Sequence, residues 1–492
     1  MGVIRRQTLK GTFYSYLGVV IGFVNLAILS PIVFTSDQIG LTQVLIAIAT
    51  ILAQVGSLGF NNVTNRLFPY FRAGSKDHNG FLSLAFLVTS AGFIISLVLL
   101  FIYLPRFIEI NQENSSLLSE YAFYIPVLLG LVMLFTLLDN FCKVLFNATI
   151  GIALKEVAVR VVNLVCIILF YFRIIDFNTF MLLFVLTQAL PALIIIIYLL
   201  ARGEFRFTGF RHMMDKNMLR QIISLCIYGI IAGLSGIALT NIDKYMVNHY
   251  NGLSDAGIYS IAVYFATLIL IPARSLGKIS VPVVAEAWKR NDLEQIGEIY
   301  RKSSINQFLI GTLILVGIIG NMNNIFRLLP QEYAAGEMVI IFYSAANIIN
   351  ISTGVSQYIL GTSALYRYQT FLMILLIFLL VISNLILIPR IGMTGAAIAS
   401  LISMFVYTLL TIILLKLKFN LWPFCKKHLA VIFLSVGIWA VTLIIPEMNL
   451  VVDILIRSMV ITILFIVATL ILGLSDDAQN IWKQVILRIK RF

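Results

Sequence analysis

Asp243 and Lys244 stand side by side in "NIDKYMVNHY", directly after a run from Ile222 to Leu239 that is almost wholly apolar or small. Arg274 and Lys278 interrupt a second apolar run, and Asp139 a third. A charged side chain at the centre of a membrane helix costs about 2.5–3.5 kcal/mol on insertion scales, so each must face protein or water. Two chemistries are open to them. A buried carboxylate can bind a proton or Na⁺, and a cation can hold an anionic cargo. Arg274 and Lys278 are four apart and share one helix face. Asp243 and Lys244 are adjacent, point ~100° apart and do not pair with each other. Asp139 has Lys143 one turn on and reads as an intrahelical ion pair at the inner end of its helix.

The elements that carry these residues are membrane helices. The chain has 492 residues, of which 60% are hydrophobic and 12% charged. A soluble protein carries about twice that charge fraction. Apolar runs long enough to span a bilayer, ~20 residues each, recur from end to end. Fourteen spans are read, which predicts an all-α polytopic membrane protein with no room for a sizeable soluble domain. The seventh span is placed near 221–249 and the eighth near 256–283. A fifth, at 156–172, is short, and the tenth, at 334–360, is long and rich in Asn, Ser and Gly. "MGVIRRQTLKG" is a basic head without a following cleavage site, so the first helix is expected to stay in the membrane. Cys142, Cys166, Cys226 and Cys425 are scattered, no C-x-x-C occurs, and the four histidines are dispersed. No metal or cofactor is expected from such spacing. A phosphate-binding G-x-x-x-x-G-K-[ST] is absent, so the chain is not itself an ATPase.

Lys and Arg set the orientation. With the N-terminus in the cytoplasm, most of the 35 basic residues fall in alternate connecting segments on that side. The opposite side holds Arg106, Arg173, Arg327, Arg390 and, at its edge, Arg457. An even number of spans then returns the C-terminus to the cytoplasm. Topology accounts for the net charge of +13 without nucleic-acid binding. The basic tail "IWKQVILRIKRF" reads as an amphipathic helix on the inner leaflet.

Two stretches repeat one pattern. "TSDQIGLTQVLIAIATILAQVGSLGF" and "LSDAGIYSIAVYFATLILIPARSLGK" each open with Ser-Asp and a Gly that starts a helix. Each is expected to run about twenty residues to a Pro, Pro69 or Pro282, before a basic segment. The copies begin at Ser36 and Ser254, and an even number of spans separates them. They therefore predict two parallel lobes: residues 1–202 with six helices, a cytoplasmic linker at 203–220, and 221–416 with six more. Two additional helices occupy 417–474, and the tail 475–492. Repeated lobes in a membrane protein usually flank a transport path. A third signature is "NLILIPRIGMTGAAIASLIS", where "PRIGMTG" forms a short outer turn and "GAAIAS" offers a small-residue face for close helix contact.

"NIDKYMVNHYNGLSDAGIYSIA", "VPVVAEAWKRND" and "LIPRIGMTGAAIASLIS", in this order, resemble the polysaccharide-export flippases. These are the Wzx-type O-antigen and capsule translocases of the multidrug/oligosaccharidyl-lipid/polysaccharide superfamily. The resemblance implies a V-shaped pair of six-helix lobes around a cavity, plus two C-terminal helices. It implies a flippase in the bacterial cytoplasmic (inner) membrane, moving undecaprenyl-diphosphate-linked oligosaccharide outward by alternating access. A polysaccharide polymerase and glycosyltransferases are the implied partners. On that reading Arg274, Lys278 and Lys244 are cavity cations for the anionic headgroup. Arg suits this because its fork matches phosphate oxygens.

Other assignments stay open for each residue. Lys278 lies near the inner end of its helix and can snorkel. Arg274 can serve a structural ion pair. Asp243 is a candidate for H⁺ or Na⁺ coupling, a structural partner to a cation, or a group at the outer interface. Its counterpart in the first copy is the neutral Asn25, so the acid is an addition to the second. Same-fold alternatives are an ion-coupled multidrug antiporter or a lipid II flippase. A membrane glycosyltransferase or polymerase is the alternative of another class, and it needs acids and bases on a large outer loop. The largest such loop, about 105–120, offers Glu109, Glu113 and Glu120.

Overall fold

Thr35 starts the first repeated segment. Its hydroxyl accepts from the Gln38 backbone N–H at 3.3 Å, and the Gln38 side chain accepts from Thr35 N–H at 3.2 Å. This reciprocal cap satisfies two of the donors that a helix start leaves unpaired. Asp176, Asp215 and Asp292 do the same single-handed for the helices Phe177–Arg202, Lys216–Asn251 and Leu293–Gly320. These four polar residues serve helix starts.

The computed structural model describes residues 2–72, 76–111, 116–210, 214–480 and 482. Some further side chains, including those of Arg274 and Lys278, lie outside the described residues, as does most of the basic tail. All regular structure among the described residues is helical. Eleven helices there are long and apolar enough to cross a membrane. One of them, Tyr366–Phe419, has 54 residues and breaks its backbone at Ile391 and Gly392. At 1.5 Å per residue it measures ~80 Å, enough for two crossings. The helix Lys216–Asn251 and the continuous rod from Ala148 to Tyr171 are also long enough. The fold is all-α and polytopic, and its helix count is compatible with fourteen spans.

Three local expectations are corrected. The Ser36–Gly56 helix does not run on toward Pro69. It stops at Ser57, whose hydroxyl donates to Gln54 O at 2.8 Å, and Leu58 and Gly59 take left-handed backbone angles. A separate amphipathic helix, Phe60–Phe71, then carries Pro69 inside it. In the second copy Pro282 likewise lies within a helix, Ile271–Lys289. The interruption falls earlier, in a 3₁₀ turn at Leu268–Leu270 just before Pro272, which occupies a first-turn position where its missing N–H costs nothing. The fifth span begins at Ala148, with a π-helical turn at Ala153–Ala158, so Lys155, Glu156 and Arg160 lie within the rod.

Contacts divide the chain into two compact units, Met1–Ser260 and Ile261–Phe492. In the first, the Ser36–Gly56 helix packs against Tyr124–Val144, Phe81–Asn111 and Lys216–Asn251. Phe60, Phe68, Phe71, Phe81 and Phe141 form an aromatic cluster at one end of this unit. The segment after Arg202 lies across that end, with Thr208 N–H donating to Ser83 Oγ at 2.9 Å and Phe205 and Phe207 against Phe86. In the second unit the Leu293–Gly320 helix is central, packing on Glu337–Ser352, Lys426–Ile444 and Leu450–Ile471. Lipid tails are as apolar as leucine, so these helices associate through close packing and hydrogen bonds rather than by escape from water.

Candidate functional site

The helices Lys216–Asn251 and Leu253–Thr267 form a hairpin whose turn is Gly252 at φ 91°. A positive φ there is open to glycine at little cost. The hairpin folds Tyr259 back onto Asp243. The Tyr259 hydroxyl donates to Asp243 Oδ2 at 2.9 Å. Asp243 is only 3% exposed and Tyr259 only 1%. At 1.5 Å per residue the pair lies ~10 Å below the turn. Asp243 is therefore buried and not open to water at a membrane surface. A carboxylate in such surroundings needs hydrogen bonds or a bound cation to remain charged.

Lys244, one residue on, points to a different neighbour, as its angular offset requires. It is half-buried, and its Nζ donates to Gln43 Oε1 on the Ser36–Gly56 helix at 2.9 Å. Neither Tyr259 nor Gln43 was legible as a partner from spacing. Tyr259 reaches Asp243 only through the hairpin, and Gln43 lies 201 positions from Lys244.

Beside this pair the two repeated motifs meet. Ser36 Oγ and Ser254 Oγ are 2.8 Å apart. Gly40 lies against the Leu253 carbonyl, and a methyl group on it would come within 1.9 Å of that oxygen. Reciprocally, a methyl on Gly257 would come within 2.1 Å of Ser36 O. The contact is near-symmetric: serine meets serine, and each glycine lies against the backbone of the other copy. Small residues at both crossings let the backbones touch, which is the packing mode membrane helices use in place of a hydrophobic core.

Other charged residues form pairs within helices among the described residues. Lys143 and Asp139 form the expected intrahelical bridge at 2.5 Å. Two further pairs were not anticipated, although both carry the i, i+4 signal. Arg160 bridges Glu156 at 2.7 Å inside the Ala148–Tyr171 rod, donates to Gly18 O, and its own carbonyl accepts from Asn25 Nδ2 at 2.7 Å. Asn25, the neutral counterpart of Asp243, thus ties the first helix to the fifth. Arg457, expected at the outer edge, is drawn inside by Asp453 at 2.8 Å. Arg457 also donates to the carbonyls of Thr442 and Ile445, and Asn324 donates to Asp453 at 2.7 Å. That network fastens three helices of the second unit. Arg274 and Lys278 ride on the Ile271–Lys289 helix, with side chains outside the described residues.

Residues 8–288 match the family described as polysaccharide biosynthesis protein. The chain belongs to that family. It is also 22% identical over 422 residues to an uncharacterised membrane protein of Methanocaldococcus jannaschii, covering 81% of each chain. Among solved structures, the lipid II flippase MurJ in an inward closed conformation superposes with a TM-score of 0.75 at 13% identity, covering 94% of this chain and 98% of that one. An inward-facing multidrug resistance MATE transporter of the MOP superfamily superposes at 0.60 with 12% identity, covering 83% and 94%. The polysaccharide biosynthesis chain described here therefore has the fold shared by MurJ and the MATE transporters. The repeated "LSDAGIYS" and its first-half counterpart "TSDQIGLT" both lie within the matched residues, and their serines meet at 2.8 Å.

Proposed function

We propose that this protein is a Wzx-type flippase. It carries oligosaccharide units, linked through a diphosphate to a polyprenyl lipid, from the cytoplasmic to the outer leaflet for O-antigen, capsule or exopolysaccharide assembly. The observation that carries the reading is the family match over residues 8–288 on a chain folded throughout like a lipid-substrate flippase. In this reading the membrane is the bacterial inner membrane and both termini face the cytoplasm. A polysaccharide polymerase and glycosyltransferases are working partners, and no catalysis is performed.

Alternating access requires a contact that closes and reopens. The Ser36–Ser254 and Gly40–Gly257 crossing suits that role, because small residues and one hydroxyl pair stand at it. Arg274, Lys278 and Lys244 serve the anionic headgroup. Export of a negative headgroup is also favoured by a membrane potential that is negative inside, by ~2.3 kcal/mol per charge per 100 mV. Asp243, buried against Tyr259, is the proposed coupling acid, taking up H⁺ or Na⁺ in one half of the cycle.

The deciding experiment uses proteoliposomes containing the full chain and a fluorescent polyprenyl-diphosphate oligosaccharide, with an impermeant reductant scoring exposure at the outer leaflet. Protein-dependent exposure supports the proposal. Selective movement of lipid II in the same assay would place the substrate in cell-wall synthesis instead, a reading the MurJ likeness favours. Movement of a cationic drug with neither lipid would replace both with the antiporter.

A further inference from the structure

The second unit holds a crevice that the transport reading does not use. It lies between the helices Leu293–Gly320, Glu337–Ser352 and Lys426–Ile444, and its volume is about 820 Å³. That is within the ~300–1,000 Å³ range of small-molecule pockets. Phe308, Thr312, Ile349, Ile432 and Val436 make a mostly apolar wall, while Lys426 and Trp422 stand where the apolar wall gives way to the loop. From Lys426 to Val436 the crevice follows one helix for ~15 Å at 1.5 Å per residue.

Its inner surface is settled rather than reactive. His428 Nε2 contacts Ser304 Oγ at 2.9 Å, and that hydroxyl donates onward to Ser352 O at 2.5 Å. Ser304 therefore accepts from a Nε2–H, and the bare Nδ1 accepts from the Cys425 backbone N–H at 3.2 Å. A neutral, fully engaged imidazole has no capacity left for a polar cargo. What the crevice leaves free is apolar surface and one charge.

That charge is distinctive. The stretch 416–428 carries Lys416, Lys418, Lys426 and Lys427, and the charge distribution assigns it to the cytoplasmic face. Lys427 is engaged by Asp476 at 2.9 Å and Lys416 by Asn420 at 2.6 Å. Lys426 is exposed, lines the crevice, and has no ion pair among the described residues. Trp422 beside it is 47% exposed, as suits a ring at the headgroup level.

We propose that this crevice holds an acyl chain of an anionic glycerophospholipid from the inner leaflet, with its phosphate on Lys426 and its glycerol region against Trp422. The inference requires only that the chain is embedded in a membrane and does not depend on the flippase reading. An elongated apolar groove that ends at a lone cation matches one tail and one anionic headgroup. A zwitterionic lipid would bring its own cation next to Lys426 and gain less.

Trp422 supplies the test. The full-length protein carrying Trp288→Phe, Trp439→Phe and Trp482→Phe keeps Trp422 as its one tryptophan. It is reconstituted with lipids brominated along the acyl chain, which quench tryptophan at contact. Dibromo-phosphatidylglycerol should outcompete dibromo-phosphatidylcholine by about fivefold, the factor one lysine near an anionic lipid supplies. Lys426→Gln should bring that ratio close to one and leave quenching by phosphatidylcholine unchanged. Ser435→Phe, which fills the slot, should reduce quenching by both lipids. Equal quenching by the two lipids, or quenching indifferent to Ser435→Phe, would mean ordinary surrounding lipid and overturn the proposal. Relief of quenching by unlabelled polyprenyl phosphate at a lower mole fraction than by unlabelled phosphatidylglycerol would overturn it as well, by assigning the slot to a carrier lipid.

Discussion

Ser36 and Ser254 stand 218 residues apart in the chain, and their hydroxyl oxygens lie 2.8 Å from each other. Each is the serine of the same repeated motif, so the motif meets its own copy. Gly40 and Gly257 hold the adjacent crossings, each against the backbone of the other copy. A contact this local, between two copies of one sequence pattern, makes several outcomes measurable.

Cysteines at Ser36 and Ser254 should form a disulfide on mild oxidation, in a background where Cys142, Cys166, Cys226 and Cys425 are serine. Hydroxyl oxygens at hydrogen-bond distance bring the two Cβ atoms to about 4–5 Å, close to the spacing of a disulfide. Oxidation should stop export of lipid-linked sugar, and reductant should restore it. Undiminished export from fully cross-linked protein would show that this crossing does not open in the cycle.

Gly40→Ala should destabilise the detergent-solubilised protein, by about 1–3 kcal/mol if the helices shift to admit the methyl. Gly437→Ala is the control, since a methyl there meets nothing within 4 Å. Its melting temperature should match the parent or rise slightly, alanine being the better helix former. Equal melting of both variants would contradict the close approach.

Asp243→Asn preserves shape and removes charge, while the amide can still accept from Tyr259. As a coupling acid, Asp243 should be dispensable for stability and for binding of the lipid-linked sugar, yet required for export. Tyr259→Phe should weaken export less, since it removes one hydrogen bond and leaves the acid. If Asp243 is only a structural partner, melting temperature should fall together with export.

Arg457→Met leaves Asp453, 2% exposed, without its cation and frees the carbonyls of Thr442 and Ile445. A loss of about 3–5 kcal/mol is expected, read as a lower melting temperature. Headgroup binding should be unchanged. The double variant Arg457→Met with Asp453→Leu should recover much of the loss, because an apolar pair of similar volume need not pay for desolvation.

Membrane-impermeant thiol labelling should report Asp215→Cys and Asn480→Cys inside, and Glu332→Cys and Asn449→Cys outside. One reversed position would break the even-span topology drawn from the basic residues.

The class of fold was legible in the sequence because a bilayer imposes length and apolarity on every spanning segment, and no soluble fold shares that pattern. The Asp139–Lys143 pair was legible too, since i, i+4 neighbours follow from helix geometry alone. The sequence placed Glu156 and Arg160 at a span's margin and Arg457 at an edge. The folded chain made the first pair part of a continuous helical rod, half-buried, and drew Arg457 inside onto Asp453, because a paired charge tolerates burial that a single charge does not. The Pro residues were misleading for a related reason. Neighbouring helices and local 3₁₀ turns absorb a Pro within a membrane helix, so it need not end one. Asp243 was visible as an anomaly, but its partner was not. Tyr259 reaches it across a hairpin, and the serines of two distant motifs meet across a helix crossing. Contacts of that kind depend on which backbones approach closely, and three-dimensional packing alone decides that.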